Sequence, residues 1–200
     1  MISMGTGKKV LFILASASPR RRELLAKAGY QFKVVTSDVD ENAFSTKNIT
    51  SEEHVKMLAL AKAKNVAEKF PDEFVVGADT VVDYHGEIIG KAFNEKHAAE
   101  ITQKLFSQPH KVITGIAIIK LSDRLEIVES DTTVVFPKKM TPAQIAQHIE
   151  GGSWRDKAGA YAIQETGDEF VEKIEGSLTN VMGLPMERLA GLLKKLGITP

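Results

Sequence analysis

The chain has no cysteine among its 200 residues, which removes disulfides, thiolate nucleophiles and cysteine zinc ligands at once. A metal would have to be held by carboxylates or histidines, and hard oxygen ligands favour magnesium or manganese. An excess of one charge is lacking too. Twenty-six Lys and Arg balance 26 Asp and Glu, so the broad cationic footprint of a nucleic-acid binder is missing. No apolar stretch approaches the ~20 residues that a bilayer span requires. The histidines His54, His85, His97, His110 and His148 share no metal-binding spacing, and there is neither a helical HExxH pattern nor a nucleophile elbow. Zinc-hydrolase and serine-hydrolase chemistry are disfavoured, no nucleic acid or membrane is expected as partner, and the cysteine-free composition fits a cytoplasmic protein.

What is present is enough apolar residue, 43% of the chain, to bury a proper core in one sizeable domain or two intimate lobes. Lys8 and Lys9 before VLFILA imitate a secretory signal, but three arginines follow immediately and export is rejected. Gly5-Thr6-Gly7-Lys8 hints at a phosphate loop, yet it lacks the first glycine and precedes its strand. Residues 1–9 therefore read as a flexible N-terminus. Beyond them strand and helix alternate without repeats, which argues for α/β organisation.

The chain's organising stretch is Leu11 to Ala28, LFILASASPRRRELLAKA. An apolar strand runs into a turn and straight into a basic helix, with Ser18 in N-cap position and Pro19 at the first helical position. Arg20, Arg21 and Arg22 then occupy the end of the helix where free N–H groups and the positive end of the macrodipole already gather. Cations there cost stability unless an anion shares the site, and hydroxyls, amides and guanidinium forks at one point suit phosphate oxygens. The plainer alternative is a solvated basic turn.

Further along, Gln31 to Val35 reads as a strand and Thr36 to Asn48 as a loop holding Asp38, Asp40 and Glu41. A helix begins near Thr50, with Thr50 and Glu53 at capping-box spacing and Val55, Leu58, Ala59, Ala61 and Val66 on its apolar face. Lys62 lies close to that face, where a lysine is ordinarily a snorkelling stem. Phe74 to Ala78 reads as a buried strand that delivers Asp79 and Thr80 at its end, before a hairpin turning at His85-Gly86. Ligands of open α/β sheets gather beyond strand carboxyl ends, so Asp79 is a candidate for chemistry; the alternative is an aspartate tying down its own turn. Lys91 follows the hairpin. A helix over Asn94 to Phe106 and long strands over Val112 to Leu121 and Leu125 to Phe136 read as scaffold, Thr114 and Gly115 included. Thr141-Pro142-Ala143-Gln144 opens another helix with a capping box, ending at Gly151-Gly152, a candidate hinge. Trp154 reads as a core anchor, Phe170 to Ile174 as a strand and Met186 to Leu196 as a closing amphipathic helix. A basic helix start, an acidic loop, an aspartate after a strand and isolated lysines suit a nucleoside triphosphate with its metal.

Five motifs carry a resemblance: LASASPRRRELL (Leu14 to Leu25), the acidic loop ending at Glu41, LALAKA (Leu58 to Ala63), GADTVV with its trailing GEIIGK (Gly77 to Lys91), and WRDKAGAYAIQ followed by EGSLTNVMGLP. In order and spacing they resemble the Maf nucleoside triphosphate pyrophosphatases, in the branch that acts on dTTP and UTP. The resemblance implies an elongated mixed β-sheet flanked by helices, with two lobes around a central cleft, as in the inosine triphosphate pyrophosphatases; residues 10–200 would form that single catalytic domain. It implies hydrolysis to the monophosphate plus pyrophosphate with a divalent cation, Mg2+ or Mn2+, and favours a homodimer.

By the same resemblance Asp79 is the catalytic base for water attacking the α-phosphorus, and Glu41 with Asp79 forms the metal site. Lys62 and Lys91 match the family's two lysines, and Ser16, Arg20 and Arg21 its phosphate-binding turn. Arg20, Thr80 and Gln164 together resemble the dTTP/UTP branch, as opposed to the branch acting on 7-methyl-GTP. Glu165 stands where the family commonly has glycine. Rival readings are a nucleotide-binding regulator of cell division with little catalysis, and a phosphatase or nucleotidyl transferase of different regiochemistry.

Overall fold

Leu14 sits in the middle of a parallel three-strand unit and shows how the sheet is built. The computed structural model describes residues 12–163 and 170–200, so the predicted N-terminal segment lies outside it. The first strand, β1 (Phe12–Ala15), pairs in parallel with β2 (Phe32–Val34) on one side and β3 (Phe74–Tyr84) on the other. Helix α1 (Pro19–Lys27) connects β1 to β2, and α2 (Ser51–Ala67) carries the chain back across to β3. Because the chain steps from β1 to β2 through α1 and then crosses back past β1 to β3 through α2, the carboxyl end of β1 is a topological switch point, where ligands of open α/β sheets bind.

The rest of the sheet is antiparallel. Strand β4 (Glu87–Ile89) closes a hairpin on β3 through His85 and Gly86, both at positive φ as a tight two-residue turn requires. Strands β5 (His110–Lys120), β6 (Leu125–Pro137) and β7 (Val171–Glu175) complete the order β2-β1-β3-β5-β6-β7, with β4 on β3 alone. The other helices are α3 (Glu95–Leu105), α4 (Pro142–Glu150), the one-turn α5 (Leu178–Val181) and α6 (Met186–Lys195).

Alternation along β3 divides the core between the two faces. Val76 and Ala78 join Phe12, Leu14, Leu24, Leu25, Leu189 and Leu193 beneath α1 and α6. Further along the same face Val82 packs with Val112, Val135, Leu105 and Trp154 beneath α3 and α4. Val75 points the other way, into a cluster with Ile13, Ala59, Ala63 and Ile119 under α2. Each fully buried aliphatic side chain contributes about 1.5–3 kcal/mol by leaving water.

Both predicted capping boxes are present: Thr50 with Glu53 at the start of α2, and Thr141 with Gln144 at the start of α4. Ser18 stands at the N-cap of α1 but its side chain makes no capping bond. Its backbone N–H instead donates to Ser16 Oγ at 3.2 Å, folding the turn inward. Ala61 is only half-buried; Ala63 takes the position on the buried face of α2. Trp154 is buried, and its Nε1–H donates to the Ile149 carbonyl at 3.0 Å, as a core anchor should. No helix among the described residues is long and apolar enough to cross a membrane.

Candidate active site

Asp79 does not lie at a strand end. Strand β3 runs unbroken from Phe74 to Tyr84, because β5 pairs with it along nearly its whole length. On the opposite edge, β1 pairs with β3 only as far as Gly77, and β4 begins pairing at Val82. Residues 78–81 therefore have one edge left uncovered by a strand, just beyond the switch point at the end of β1. Asp79 is thus placed at a gap between two partners of one strand.

On the α2 face of this gap stands Asp79, 6% exposed. Lys62, 7% exposed, places its Nζ 2.7 Å from Asp79 Oδ1 and 2.7 Å from Glu41 Oε1. This overturns the snorkelling reading of Lys62, since its ammonium bridges two carboxylates and is turned away from bulk water. Glu41 opens a single 3-10 turn (Glu41–Ala43) capped by Asp40, whose Oδ1 accepts from the Asn42 N–H. The loop is held over α2 by the Asp38 N–H donating to Asn65 Oδ1 and by the Lys69–Asp38 ion pair. Partial burial would raise the Glu41 carboxyl, but the hydrogen bond from Lys62 and the charges of Lys62, Lys91 and Arg21 outweigh it and hold Glu41 below the usual range. Lys91 is exposed and acts there through its charge; its backbone forms a bridge with Ala158.

On the opposite face Arg21 is half-buried, and its guanidinium is turned into the protein. Nε donates to the Gly183 carbonyl at 2.8 Å, one terminal nitrogen to Ser16 Oγ at 3.2 Å and the Ala78 carbonyl at 2.8 Å, and the other to Thr80 Oγ1 at 3.0 Å. Burial pushes the guanidinium below its ordinary value, the Asp79 carboxylate pulls it back, and Arg20 pushes it down again. A guanidinium still stays charged. Four of its five N–H groups are engaged by protein acceptors, so Arg21 clamps the turn, with its charge still directed at the site. Arg21 thus joins both neighbours of Asp79 to the Ser16 turn, which brings the predicted basic and acidic stretches together.

Ser16, Arg21, Glu41, Lys62, Asp79 and Thr80 meet around one gap, with Arg20 next to Arg21. Gln164, with Glu165, lies outside the described residues. The segment leading to it is firmly held: Tyr161 Oη is 2.9 Å from His110 Nε2, and His148 Nε2 donates to the Ala160 carbonyl at 2.8 Å. Thr114 belongs to the site surroundings as well as to the scaffold, because its Oγ1 lies 2.9 Å from Thr80 Oγ1. From sequence, Thr114 reads as scaffold and Asn180 and Gly183 stand only inside the EGSLTNVMGLP motif, with no site role for any of the three. The available signal was a hydroxyl interrupting the apolar alternation of VITGIAII, and a polar run between β7 and Pro185.

The donors near the gap suit a hard cation, since Glu41 and Asp79 offer carboxylate oxygens and no sulfur or imidazole. No group of three or more candidate ligand residues occurs among the described residues. Two protein carboxylates would need phosphate and water oxygens to complete a coordination shell.

A switch-point gap that pairs a buried carboxylate with a shared ammonium and an arginine-clamped turn marks an α/β protein with a charged site at the open edge of its sheet. The fold is like that of the Staphylococcus aureus Ham1 protein, with a TM-score of 0.51 over 93% of this chain and 99% of that one, at 13% identity. The sequence profile of the Maf-like proteins matches residues 11–196, and the chain belongs to this family. A relative from Citrifermentans bemidjiense, named a dTTP/UTP pyrophosphatase, is 44% identical over 190 residues, covering 95% of this chain and 97% of the relative. A second of the same name, from Geotalea uraniireducens, is 45% identical over 185 residues, covering 92% and 94%.

Proposed function

We propose that the protein hydrolyses dTTP and UTP to the nucleoside monophosphate and pyrophosphate. The observation that carries this reading is the Asp79–Lys62–Glu41 cluster, with two 2.7 Å contacts, set beside the Arg21 clamp at the switch point. Family membership and the names of the near relatives support it.

In this reading Asp79 accepts a proton from water as the water oxygen bonds to the α-phosphorus. The bond from that phosphorus to the oxygen bridging to the β-phosphorus breaks, and pyrophosphate leaves with the electron pair. Lys62 fixes the Asp79 carboxylate in place. Arg20 and the Ser16 turn engage phosphate oxygens, Lys91 offsets negative charge from the exposed side, and Thr80 and Gln164 contribute to nucleotide choice. Glu41 and Asp79 would hold a divalent cation, which when bound neutralises phosphate charge and makes water easier to deprotonate.

The test is product analysis with dTTP, UTP, CTP and 7-methyl-GTP in the presence of magnesium or manganese. Monophosphate with pyrophosphate, formed fastest from dTTP and UTP, is expected. Diphosphate with orthophosphate, or no product, overturns the proposal.

A further inference from the structure

Thr80 and Thr114 are directly opposed across β3 and β5, on the face that carries α1, α5 and α6. Apolar residues flank them on both sides: Val76, Ala78, Ile116 and Ile118 belong to one core cluster, Val82 and Val112 to another. Between the clusters runs a polar seam. Asn180, fully buried, donates from Nδ2 to the Val112 carbonyl at 2.9 Å and to Thr133 Oγ1 at 3.0 Å. Thr133 Oγ1 is bonded to both the backbone carbonyl and the N–H of Ser177, at 3.0 Å each. Thr114 Oγ1, with no exposure, lies 3.3 Å from the Asn180 carbonyl and 2.9 Å from Thr80 Oγ1. Thr80 Oγ1 accepts from Arg21 and lies 3.3 Å from the Gly183 carbonyl.

The proton count constrains the seam. Each hydroxyl has one proton, and the Arg21 bond adds a donated one at Thr80. Whichever threonine donates to the other, the last hydroxyl proton ends on a carbonyl of the 180–183 turn, so the pair ties strand β3 to that turn. Arg21 grips the same two partners, Thr80 and Gly183. A valine at 114 would fill much the same space but remove the link from Thr80 through Thr114 to the Asn180 carbonyl, leaving Thr80 the Gly183 carbonyl as its only acceptor in the turn. In a buried network of this kind, losing one member costs more than its own bond, because the remaining groups lose a partner in low dielectric.

We infer that Thr114 is a positioning residue of the nucleotide site: its buried hydroxyl holds Thr80 and the Asn180–Gly183 turn in register, and through them the Arg21 fork beside Asp79. The inference rests on the proposed function and names a further residue behind it. Thr114 touches no substrate, being fully enclosed.

The experiment compares Thr114→Val and Thr114→Ser with the wild type by steady-state kinetics on dTTP and by thermal melting. Thr114→Val is expected to raise KM about tenfold, as loss of one oriented hydrogen bond implies, with kcat within about twofold. Thr114→Ser, which keeps the hydroxyl, is expected to restore KM to within about threefold. An unchanged KM in the valine variant, a serine variant no better than valine, or a loss that merely follows the melting temperature overturns the inference. If the valine variant does not fold, Thr114→Ala against Thr114→Ser makes the same comparison. A wild type that leaves dTTP intact overturns this inference together with the proposed function; an active wild type matched by Thr114→Val overturns this inference alone.

Discussion

Gly115 lies directly beneath Val55, so close that a Cβ at position 115 would stand 2.3 Å from the Val55 carbonyl oxygen. Gly115 is also the cross-strand partner of Asp79. Gly77, two residues before Asp79, meets α2 in the same way, with the Ala59 carbonyl 2.3 Å from its missing Cβ. Helix α2 thus rests on bare sheet backbone at two points, and this sets the height at which Lys62 reaches Asp79.

Gly115→Ala should lift α2 from the sheet and separate Lys62 from Asp79. Overpacking of this kind costs about 1–3 kcal/mol. Turnover measured well below the melting temperature should fall further than the fraction folded does. Full activity in a folded Gly115→Ala protein would show that this close approach does not set the cluster.

Asp79→Asn keeps the shape of the carboxylate but removes its charge and its ability to take a proton. Turnover should drop by about 10²- to 10⁴-fold, the usual contribution of a general base. Nucleotide binding, followed by calorimetry with a non-hydrolysable triphosphate, should remain measurable. Near-normal turnover would remove Asp79 from the mechanism.

The two adjacent arginines should separate in their effects. Arg21→Lys cannot reproduce a planar fork that reaches Ser16, Ala78, Thr80 and Gly183 together, so stability should fall by about 1.5–3 kcal/mol. Arg20→Ala should act mainly on nucleotide affinity, weakening it by about 1.5–3 kcal/mol if one charged hydrogen bond is lost. Denaturant melts and binding isotherms of both variants check the separation.

His110 gives a pH prediction. Burial lowers it to about 4, and its Nδ1–H donates to the Leu105 carbonyl, leaving Nε2 to accept from the Tyr161 hydroxyl. The unfolded chain, with histidine near its ordinary value, binds this proton more readily than the folded one. Stability should therefore decline as pH falls from about 6.5 towards about 4, by up to about 3 kcal/mol from this residue. Glu41, held low by Lys62, loses its contribution only at more acidic pH. Urea midpoints between pH 7 and 5 should show the early decline, and His110→Phe should flatten it.

The elements most legible in the sequence are those whose signals are local. Thr50 with Glu53, Thr141 with Gln144, Pro19 at a helix start and His85-Gly86 at a turn each act within four residues, and the structure has all of them. The boundaries read less well where pairing decides them. β2 shrank to three residues because only β1 holds it, and β3 ran past Asp79 because β5 covers its other edge.

The site divides along the same line. Motif order alone determined that the chain is Maf-like and which side chains carry charge near the Ser16 to Arg21 turn, because those patterns are written in consecutive residues. Only the tertiary structure decided that Lys62 is buried between Asp79 and Glu41, that Arg21 turns inward to Gly183, 162 positions away, and that Thr114 lies behind Thr80. Those outcomes depend on where β1 stops along β3 and how closely α2 approaches two glycines. Both are long-range packing relations, which no window of neighbouring residues contains.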